Sequence, residues 1–171
     1  VAALFHRGPD AQTGVLLDGV ALGHARLAIV DLSGGAQPMA DPATGVTVVY
    51  NGEIFNHEEL RAELADGYPF RTRSDTEVLL AAFLRWGIAG LERLNGQWAF
   101  ALWDPRDRSL WLARDRVGIL PLYLARGPHG LAFASEAKAL VAAQLAPARI
   151  DPAGVKQAMQ LWAPVPPRTC V

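Results

Sequence analysis

The sequence is poor in cysteine, in excess charge and in long apolar runs, and each shortage excludes a class of protein. Its one cysteine, Cys170, excludes an internal disulfide framework, and a cysteine-poor composition fits a reducing cytoplasm. Sixteen basic and seventeen acidic residues leave a net charge of −1, so charge favours neither nucleic acid nor a membrane surface as a partner. No apolar run approaches the ~18 residues of a membrane span, and no signal peptide is visible.

Motifs for metals and nucleotides are also missing. The four histidines show no ligand spacing with one another, with cysteine or with carboxylates, so we assign no metal site. No glycine-rich loop ends in Gly-Lys-Ser or Gly-Lys-Thr, which excludes a phosphate-binding loop of that type. What remains is an ordinary globular composition, 51% hydrophobic and 19% charged, in 171 residues that suggest one domain.

Strand and helix patterns follow one another in groups along the chain. The predicted strands, separated by turn residues, are 15–17, 20–30, 46–50, 68–73, 96–103, 110–114, 121–126 and 131–134. The predicted helices are 56–67, 74–87, 135–141 and 155–161. Hairpin links between the strands favour antiparallel sheets with helices packed outside them, an α+β fold, over a parallel doubly wound sheet. Asp115 to Gly118 predicts a salt-bridged turn between two of these strands.

The stretch Asn51-Gly52 follows a run of strand-forming residues and has two interpretations. Asn-Gly is a strong signal for a hairpin turn, because both residues tolerate positive φ. Alternatively, an Asn side-chain N–H and the next backbone N–H, presented at a strand end, form an oxyanion hole for a developing negative oxygen. For an isolated Asn-Gly pair the turn is the more common outcome.

Two charged residues also have a structural and a functional interpretation. Arg26 lies on a strand with one apolar face, where it is either an exposed cation or a clamp for a carboxylate. Asp75 lies in the capping box Ser74 to Glu77, where it either complements the helix dipole or receives an ammonium group. The pair suits the two ends of a free amino acid, although the sequence does not show that the residues meet.

Six motifs occur in one order over nearly the whole chain. They are His6 to Asp10, Gly23 to Asp31 with Gln37-Pro38, Asn51 to Asn56, Ser74 to Glu77, Arg114 to Tyr123 and Ala134 to Leu140. Together they resemble the glutamine-hydrolysing domain of asparagine synthetases, a class II glutamine amidotransferase. The His-Arg-Gly-Pro-Asp form at 6–10 resembles the asparagine synthetase branch more than the amidophosphoribosyl or glucosamine-phosphate branches.

The resemblance implies an N-terminal nucleophile hydrolase-like fold, a four-layer α/β/β/α sandwich of two antiparallel sheets. It implies a type 2 glutamine amidotransferase domain over residues 1–162 and, at 163–171, the start of a linker to a C-terminal synthetase domain. ATP and Mg²⁺ are implied for that synthetase domain, and no cofactor is expected in the present one. The resemblance also implies a cytoplasmic protein and is compatible with a homodimer.

The resemblance further implies roles for particular residues. Arg26 would hold the α-carboxylate of L-glutamine and Asp75 its α-ammonium group, while Asn51 and the Gly52 N–H would form the oxyanion hole. The wall of the substrate site would be completed by Leu27, Ala28, Ile29, Val30 and Glu53. The family's nucleophile is an N-terminal cysteine whose own α-amino group acts as the base.

We therefore predict a domain that splits glutamine into glutamate and ammonia, the ammonia being used to amidate aspartate in the synthetase domain. Position 1 is valine, so we expect the chain to be a piece of a longer protein and to be inactive alone. Two alternatives stay open: a non-catalytic glutamine-binding or interaction module, and a glutaminase domain that serves another ammonia acceptor. The residue after the initiator methionine of the full gene tests the first alternative, because the enzyme needs cysteine there.

Overall fold

A computed structural model describes residues 1–27, 31, 34–127, 130–165 and 168–170. The chain forms two compact units, Val1–Leu122 and Tyr123–Val171. The domain boundary predicted near residue 162 stays a prediction. Within the ranges just given, no helix is long and apolar enough to cross a membrane.

The first unit begins with a 3₁₀ helix, Ala2–Arg7, followed by a β-hairpin. Its strands, β1 (Ala11–Leu17) and β2 (Val20–Arg26), pair antiparallel along their whole length. The turn between them contains Gly19 at φ +80°, a conformation that glycine adopts without steric cost. The predicted hairpin is confirmed, and the part of the predicted second strand at 28–30 lies outside the described residues.

The centre of this unit is an antiparallel sheet in the order β3-β4-β5-β6. The strands are β3 (Met39–Ala40), β4 (Thr47–Ile54), β5 (Gly96–Asp104) and β6 (Ser109–Arg114). β4 and β5 pair along the whole of β4, but β3 pairs only with Thr47 and Val48. The rest of that edge of β4 therefore has no neighbouring strand in the described part of the chain.

Two helices, α1 (His57–Leu64) and α2 (Asp75–Trp86), pack their apolar side chains on one face of this sheet. The sheet side chains in this core alternate along each strand, as a strand with one face on the core requires. They include Val48, Tyr50, Trp98, Phe100 and Leu102. α2 is capped at its C-terminus by Gly87, at φ +61°, which is the predicted stop position.

The segment 68–73, predicted as a strand, is irregular. Its backbone N–H groups at Arg71 and Thr72 donate to the carboxylate of Glu77, at 3.0 and 2.7 Å, instead of to a neighbouring strand. Glu77 is fully buried and also accepts the Thr72 hydroxyl at 2.7 Å. The strand prediction was wrong because a buried side chain satisfies these backbone donors and no sheet is needed.

The predicted capping box at the start of α2 is half formed. Ser74 Oγ accepts the N–H of Thr76 at 3.1 Å, as an N-cap residue should. The reciprocal bond from Glu77 is missing, because Glu77 turns toward the preceding segment. The Ser74 N–H donates to Thr72 Oγ1 at 3.2 Å instead.

The second unit contains a hairpin and two helices. The strands β7 (Tyr123–Gly127) and β8 (Gly130–Ala134) pair antiparallel, and α3 (Ala137–Ala142) and α4 (Pro152–Leu161) follow. α4 begins earlier than predicted, because the Asp151 side chain caps its first turn and proline suits its first position. Every sheet in the described residues is antiparallel, which confirms the predicted α+β class.

We expect Glu77→Ala to destabilise the first unit by about 3 kcal/mol, because the backbone N–H groups of Arg71 and Thr72 lose a buried, charged acceptor. Unfolding by urea measures the loss, and amide hydrogen exchange should become faster at residues 71 and 72. The control is Glu63→Ala, which removes a half-exposed carboxylate 2.7 Å from Arg93 and should cost under ~1 kcal/mol. Unchanged exchange at residues 71 and 72 would contradict the assigned role of Glu77.

Candidate functional site

The pair Asn51-Gly52 lies inside a strand and not in a turn. β4 continues through both residues to Ile54, and β5 pairs with it over this length. The hairpin interpretation is therefore wrong, and the strand extends beyond the point where the sequence pattern ends it. Gly52 has φ +147°, and a Cβ there would lie 2.2 Å from the carbonyl oxygen of Gln97. Any other residue would push β4 and β5 apart.

The direction of the Gly52 N–H follows from the hydrogen bonds of Trp98, the residue opposite it on β5. The Trp98 N–H donates to the Asp115 carboxylate at 3.3 Å, and the Trp98 carbonyl accepts the Asp115 N–H at 2.7 Å. Both backbone groups of a strand residue point to the same side of the strand. Trp98 and Gly52 are therefore a non-hydrogen-bonded pair, and the Gly52 N–H points away from β5.

Asp115 is held by backbone groups and not by the predicted salt bridge. Its carboxylate accepts the N–H groups of Ile119 and Leu120, at 2.8 and 3.0 Å, as well as that of Trp98. Burial acts to raise the pKa of Asp115, but these backbone donors hold it below the usual range. The prediction of a charged turn was correct about the turn and wrong about the partner of the carboxylate.

The outward edge of β4 beyond β3 carries the N–H groups of Tyr50, Gly52 and Ile54, and we call these three residues the β4 edge. The Tyr50 N–H donates to Gln37 Oε1 at 2.6 Å, and the Ile54 N–H donates to Asp75 Oδ2 at 3.1 Å. The Gly52 N–H lies between these two bonds and has no acceptor among the described residues. Side chains thus occupy the two flanking donors and leave the central one open.

Asn51 provides a second open donor next to Gly52. Its Nδ2 is buried and has no hydrogen-bond partner in the part of the chain that the structure describes. Because side chains alternate along a strand, Asn51 and Glu53 project from the face of β4 opposite Tyr50, and Glu53 is exposed. A buried N–H without an acceptor is costly unless a ligand or water completes it.

Asp75 is buried against the β4 edge, as the first residue of α2. Its Oδ2 accepts both the Tyr50 hydroxyl, at 2.7 Å, and the Ile54 N–H. Burial and the neighbouring Asp75 carboxylate raise the pKa of Tyr50 far above its ordinary value, so the phenol stays protonated and donates. The second carboxylate oxygen, Oδ1, makes no hydrogen bond with the described residues.

Arg26 is connected to the start of α2 through Asp31. A guanidinium nitrogen of Arg26 donates to the Asp31 carbonyl oxygen at 2.9 Å. The Asp31 carboxylate in turn accepts the N–H of Arg73 at 2.8 Å, just before Ser74 and Asp75 in the chain. The structure therefore links the predicted carboxylate clamp to the segment that carries the predicted ammonium acceptor.

His24 joins β2 to the β4 edge. Its Nε2 lies 3.2 Å from the Tyr50 carbonyl oxygen, to which it donates, and its Nδ1 is buried without a partner among the described residues. Burial lowers the pKa of His24 and the charge of Arg26 lowers it further, against the opposing effect of the bond to Tyr50. The imidazole is therefore neutral at pH 7.

The remaining predicted wall residues are less defined. Leu27 is exposed, and Ala28, Ile29 and Val30 lie outside the described residues. The roles assigned to all predicted site residues stay predictions. No group of three or more histidine, cysteine or acidic residues that could hold a metal ion occurs within the described ranges.

His24 and Gln37 lie in the motifs that carry the resemblance, but the sequence assigned no role at the site to either residue or to Tyr50. Gln37 lies in a stretch rich in glycine and proline, where a polar side chain is expected to be exposed, yet it is buried. Tyr50 could have been recognised as linked to another polar residue, because a phenol in a buried strand requires a hydrogen-bond partner. For Gln37 and His24 the partners lie far away in sequence, and no local pattern reports them.

Comparison with known proteins identifies the family. A family model described as a glutamine amidotransferase domain matches residues 1–171. The chain belongs to this family. The relatives of this amidotransferase domain include asparagine synthetase [glutamine-hydrolyzing] 3 of Bacillus subtilis (strain 168), at 43% identity over 90% of this chain and 26% of that protein. Asparagine synthetase B [glutamine-hydrolyzing] of Escherichia coli (strain K12) is 46% identical over 80% of this chain and 25% of that protein.

The chain thus spans about a quarter of the length of these curated relatives. Among solved structures, it is similar to the glutamine phosphoribosylpyrophosphate amidotransferase from B. subtilis complexed with ADP and GMP. The TM-score is 0.62 at 27% identity, covering 78% of this chain and 31% of that one. The amidotransferase domain therefore has the predicted N-terminal nucleophile hydrolase-like fold, with antiparallel sheets.

We expect the His24 imidazole to stay neutral as the pH falls through 6.5, because burial and the nearby Arg26 disfavour its cation. Below pH 6.5 the unfolded chain takes up a proton that the folded chain does not, so stability is lost until the folded pKa is reached. Histidine-selective NMR, with His24→Gln to assign the signal, measures the midpoint in the full-length protein. A midpoint at or above 6.5 would refute this assignment.

Proposed function

We propose that this domain binds L-glutamine and hydrolyses its side-chain amide, releasing glutamate and ammonia. The observation that carries the proposal is the pair of consecutive donors, Asn51 Nδ2, which has no partner among the described residues, and the Gly52 N–H, which points away from β5 between two occupied donors. Two N–H groups held on a rigid strand stabilise the negative oxygen that forms when an amide carbonyl is attacked. The family membership supports the choice of glutamine as the amide.

In this proposal the amino-acid end of glutamine lies between Arg26 and Asp75. The guanidinium of Arg26 binds the α-carboxylate, and Oδ1 of Asp75 accepts the α-ammonium group. Their connection through Asp31 supports a fixed spacing between the two charges, which suits a free amino acid. The remaining wall of the site consists of residues 27–30 and Glu53.

The nucleophile in this proposal is an N-terminal cysteine with its own α-amino group as the base, as the resemblance implies. The cysteine of the present sequence, Cys170, does not have that position. We therefore assign the nucleophile to the parent protein and propose that the 171 residues alone are inactive.

We further propose that the ammonia serves a synthetase domain of the same parent protein, which amidates aspartate with ATP and Mg²⁺ in the cytoplasm. The identities of 43% and 46% to two asparagine synthetases support this acceptor. The structural similarity to a phosphoribosylpyrophosphate amidotransferase favours a second candidate, a glutaminase domain with another acceptor.

Full-length protein supplied with glutamine, aspartate, ATP and Mg²⁺ should form asparagine, whereas glutamate without asparagine would favour the second candidate.

We expect Asn51→Ala in the full-length protein to lower kcat for glutamate release by ~100-fold or more, because one oxyanion donor is lost. The KM for glutamine should change by less than about threefold, since the donor acts mainly on the transition state. Product formation from added ammonia should be unaffected, because that route does not use the oxyanion hole.

The matched control for this change is Asn56→Ala. The Asn56 amide is already used, because it donates to the Arg93 carbonyl oxygen at 3.0 Å and accepts the Asn95 N–H at 2.9 Å. Glutamate release by the control should stay within about twofold of the parent, since no oxyanion donor is removed. Equal turnover in Asn51→Ala and the parent would contradict the oxyanion role of Asn51, whereas a full-length parent protein that binds glutamine and releases no glutamate would support the non-catalytic alternative.

We expect Asp75→Asn to raise the KM for glutamine by roughly tenfold to a hundredfold, with a smaller change in kcat, because it removes a charged partner of the ammonium group. The amide oxygen of the new residue still accepts the Tyr50 hydroxyl and the Ile54 N–H, so the local structure is kept. Asp66→Asn, an exposed change after α1, is the charge-matched control. A KM equal to the parent value would exclude Asp75 from substrate binding.

A further inference from the structure

Gln37 is a buried residue whose side-chain amide is used at both ends. Its Oε1 accepts the Tyr50 N–H at 2.6 Å, and its Nε2 donates to Thr76 Oγ1 at 3.3 Å. Its backbone carbonyl accepts the hydroxyl of Thr13 from β1. One residue thus connects the β4 edge, the first turn of α2 and the hairpin.

We propose that Gln37 is a positioning residue for the oxyanion hole, an inference that rests on the proposed glutaminase function. β3 pairs only with Thr47 and Val48, so within the described ranges no strand pairs with Tyr50 on this edge. The side chain of Gln37 accepts the Tyr50 N–H, as the backbone carbonyl of a pairing strand otherwise would. It does so without covering the next outward N–H, that of Gly52.

The β4 edge is fastened on both sides of Gly52. Gln37 binds at Tyr50, and Asp75 binds at Ile54. Both attachments lead to the first turn of α2, because Asp75 is its first residue and Gln37 also binds Thr76, the next residue. The Gly52 N–H therefore cannot move relative to α2 without breaking one of these bonds.

The chemistry of the position favours an uncharged amide. The side chain must accept a hydrogen bond from the Tyr50 N–H and form a second hydrogen bond with the Thr76 hydroxyl. Gln37 is only 9% exposed, so neither group can be satisfied by bulk solvent instead. A methionine has a similar length but no such acceptor. A glutamate accepts the Tyr50 N–H and, after rotation of the Thr76 hydroxyl, that donor as well, at the cost of burying a charge.

The test compares Gln37→Met with Gln37→Glu in the full-length protein. We expect Gln37→Met to lower kcat for glutamate release by ~10-fold or more, because small displacements of an oxyanion donor reduce the rate strongly. The KM for glutamine should stay within about threefold, and the ammonia-dependent reaction should be unchanged. Gln37→Glu should restore a large part of the lost kcat, since it keeps the acceptor for the Tyr50 N–H.

A second pair of variants keeps the test valid if Gln37→Met fails to fold. Thr76→Val removes the hydroxyl that holds the far end of Gln37 and keeps the shape of the side chain. Its control is Thr47→Val. Thr47 lies on β4, the strand that contains Gly52, and the change removes a buried hydroxyl that donates to the Gly45 carbonyl oxygen. We expect a several-fold lower kcat for Thr76→Val and a kcat within about twofold of the parent for Thr47→Val.

The outcomes separate this inference from the proposed function. If Asn51→Ala lowers kcat but Gln37→Met does not, the positioning role is overturned and the oxyanion hole stands. If Gln37→Met raises KM as much as it lowers kcat, or also lowers the ammonia-dependent rate, Gln37 supports the fold in general and the inference is again overturned. If Asn51→Ala leaves kcat unchanged, the oxyanion hole assigned to Asn51 and Gly52 fails and the positioning role of Gln37 fails with it, whereas a full-length parent protein that releases no glutamate would overturn the proposed function itself.

Discussion

The alternation of backbone hydrogen bonds along β4 is the constraint on which the site depends. Trp98 directs its own backbone groups toward Asp115, so its partner Gly52 must face outward, together with Tyr50 and Ile54. A complete neighbouring strand would pair these outward groups. β3 begins too late in the chain for that, and among the described residues no other strand pairs with this edge, so the N–H of Gly52 stays open.

Asp75 shows how one side chain serves both the fold and the proposed recognition of substrate. Its Oδ2 is saturated by the Tyr50 hydroxyl and the Ile54 N–H, and its position at the start of α2 adds the favourable end of the helix dipole. These bonds fix the orientation of the carboxylate before any ligand arrives. The second oxygen, Oδ1, is then presented in one geometry, which lowers the entropy cost of binding an ammonium group.

The parts of the fold that could be predicted from the sequence are those decided within a few residues. The β1–β2 turn has its own glycine, and α2 has a serine at its start and Gly87 at its end. The segment 68–73 was predicted wrongly because its hydrogen bonds are decided by Glu77, on the following helix. Its local pattern suits a strand, but a local pattern does not report where a buried carboxylate lies.

The same distinction separates the predicted site residues from the missed ones. Asn51, Gly52, Arg26 and Asp75 occur in motifs that resemble a known family, so they could be named before the geometry was known. Gln37 also lies in one of these motifs but was assigned no role, because that role depends on where β3 begins and on which residues of β4 face outward. Both are properties of strand pairing across the sheet, and a one-residue change of register would reverse them.

The open donors also explain why the site is built on a strand and not on a turn. The buried Nδ2 of Asn51 has no acceptor among the described residues, and a buried donor that stays unpaired costs roughly 1–3 kcal/mol. That cost is relieved when an oxygen arrives, and most fully when the oxygen becomes negative, so the relief is larger for the transition state than for the substrate. A mobile turn would let the amide find another acceptor in the free protein and lose this difference. Pairing with β5 on one side, and the bonds of the β4 edge to Gln37 and Asp75 on the other, keep the donors open until the reacting carbonyl is present.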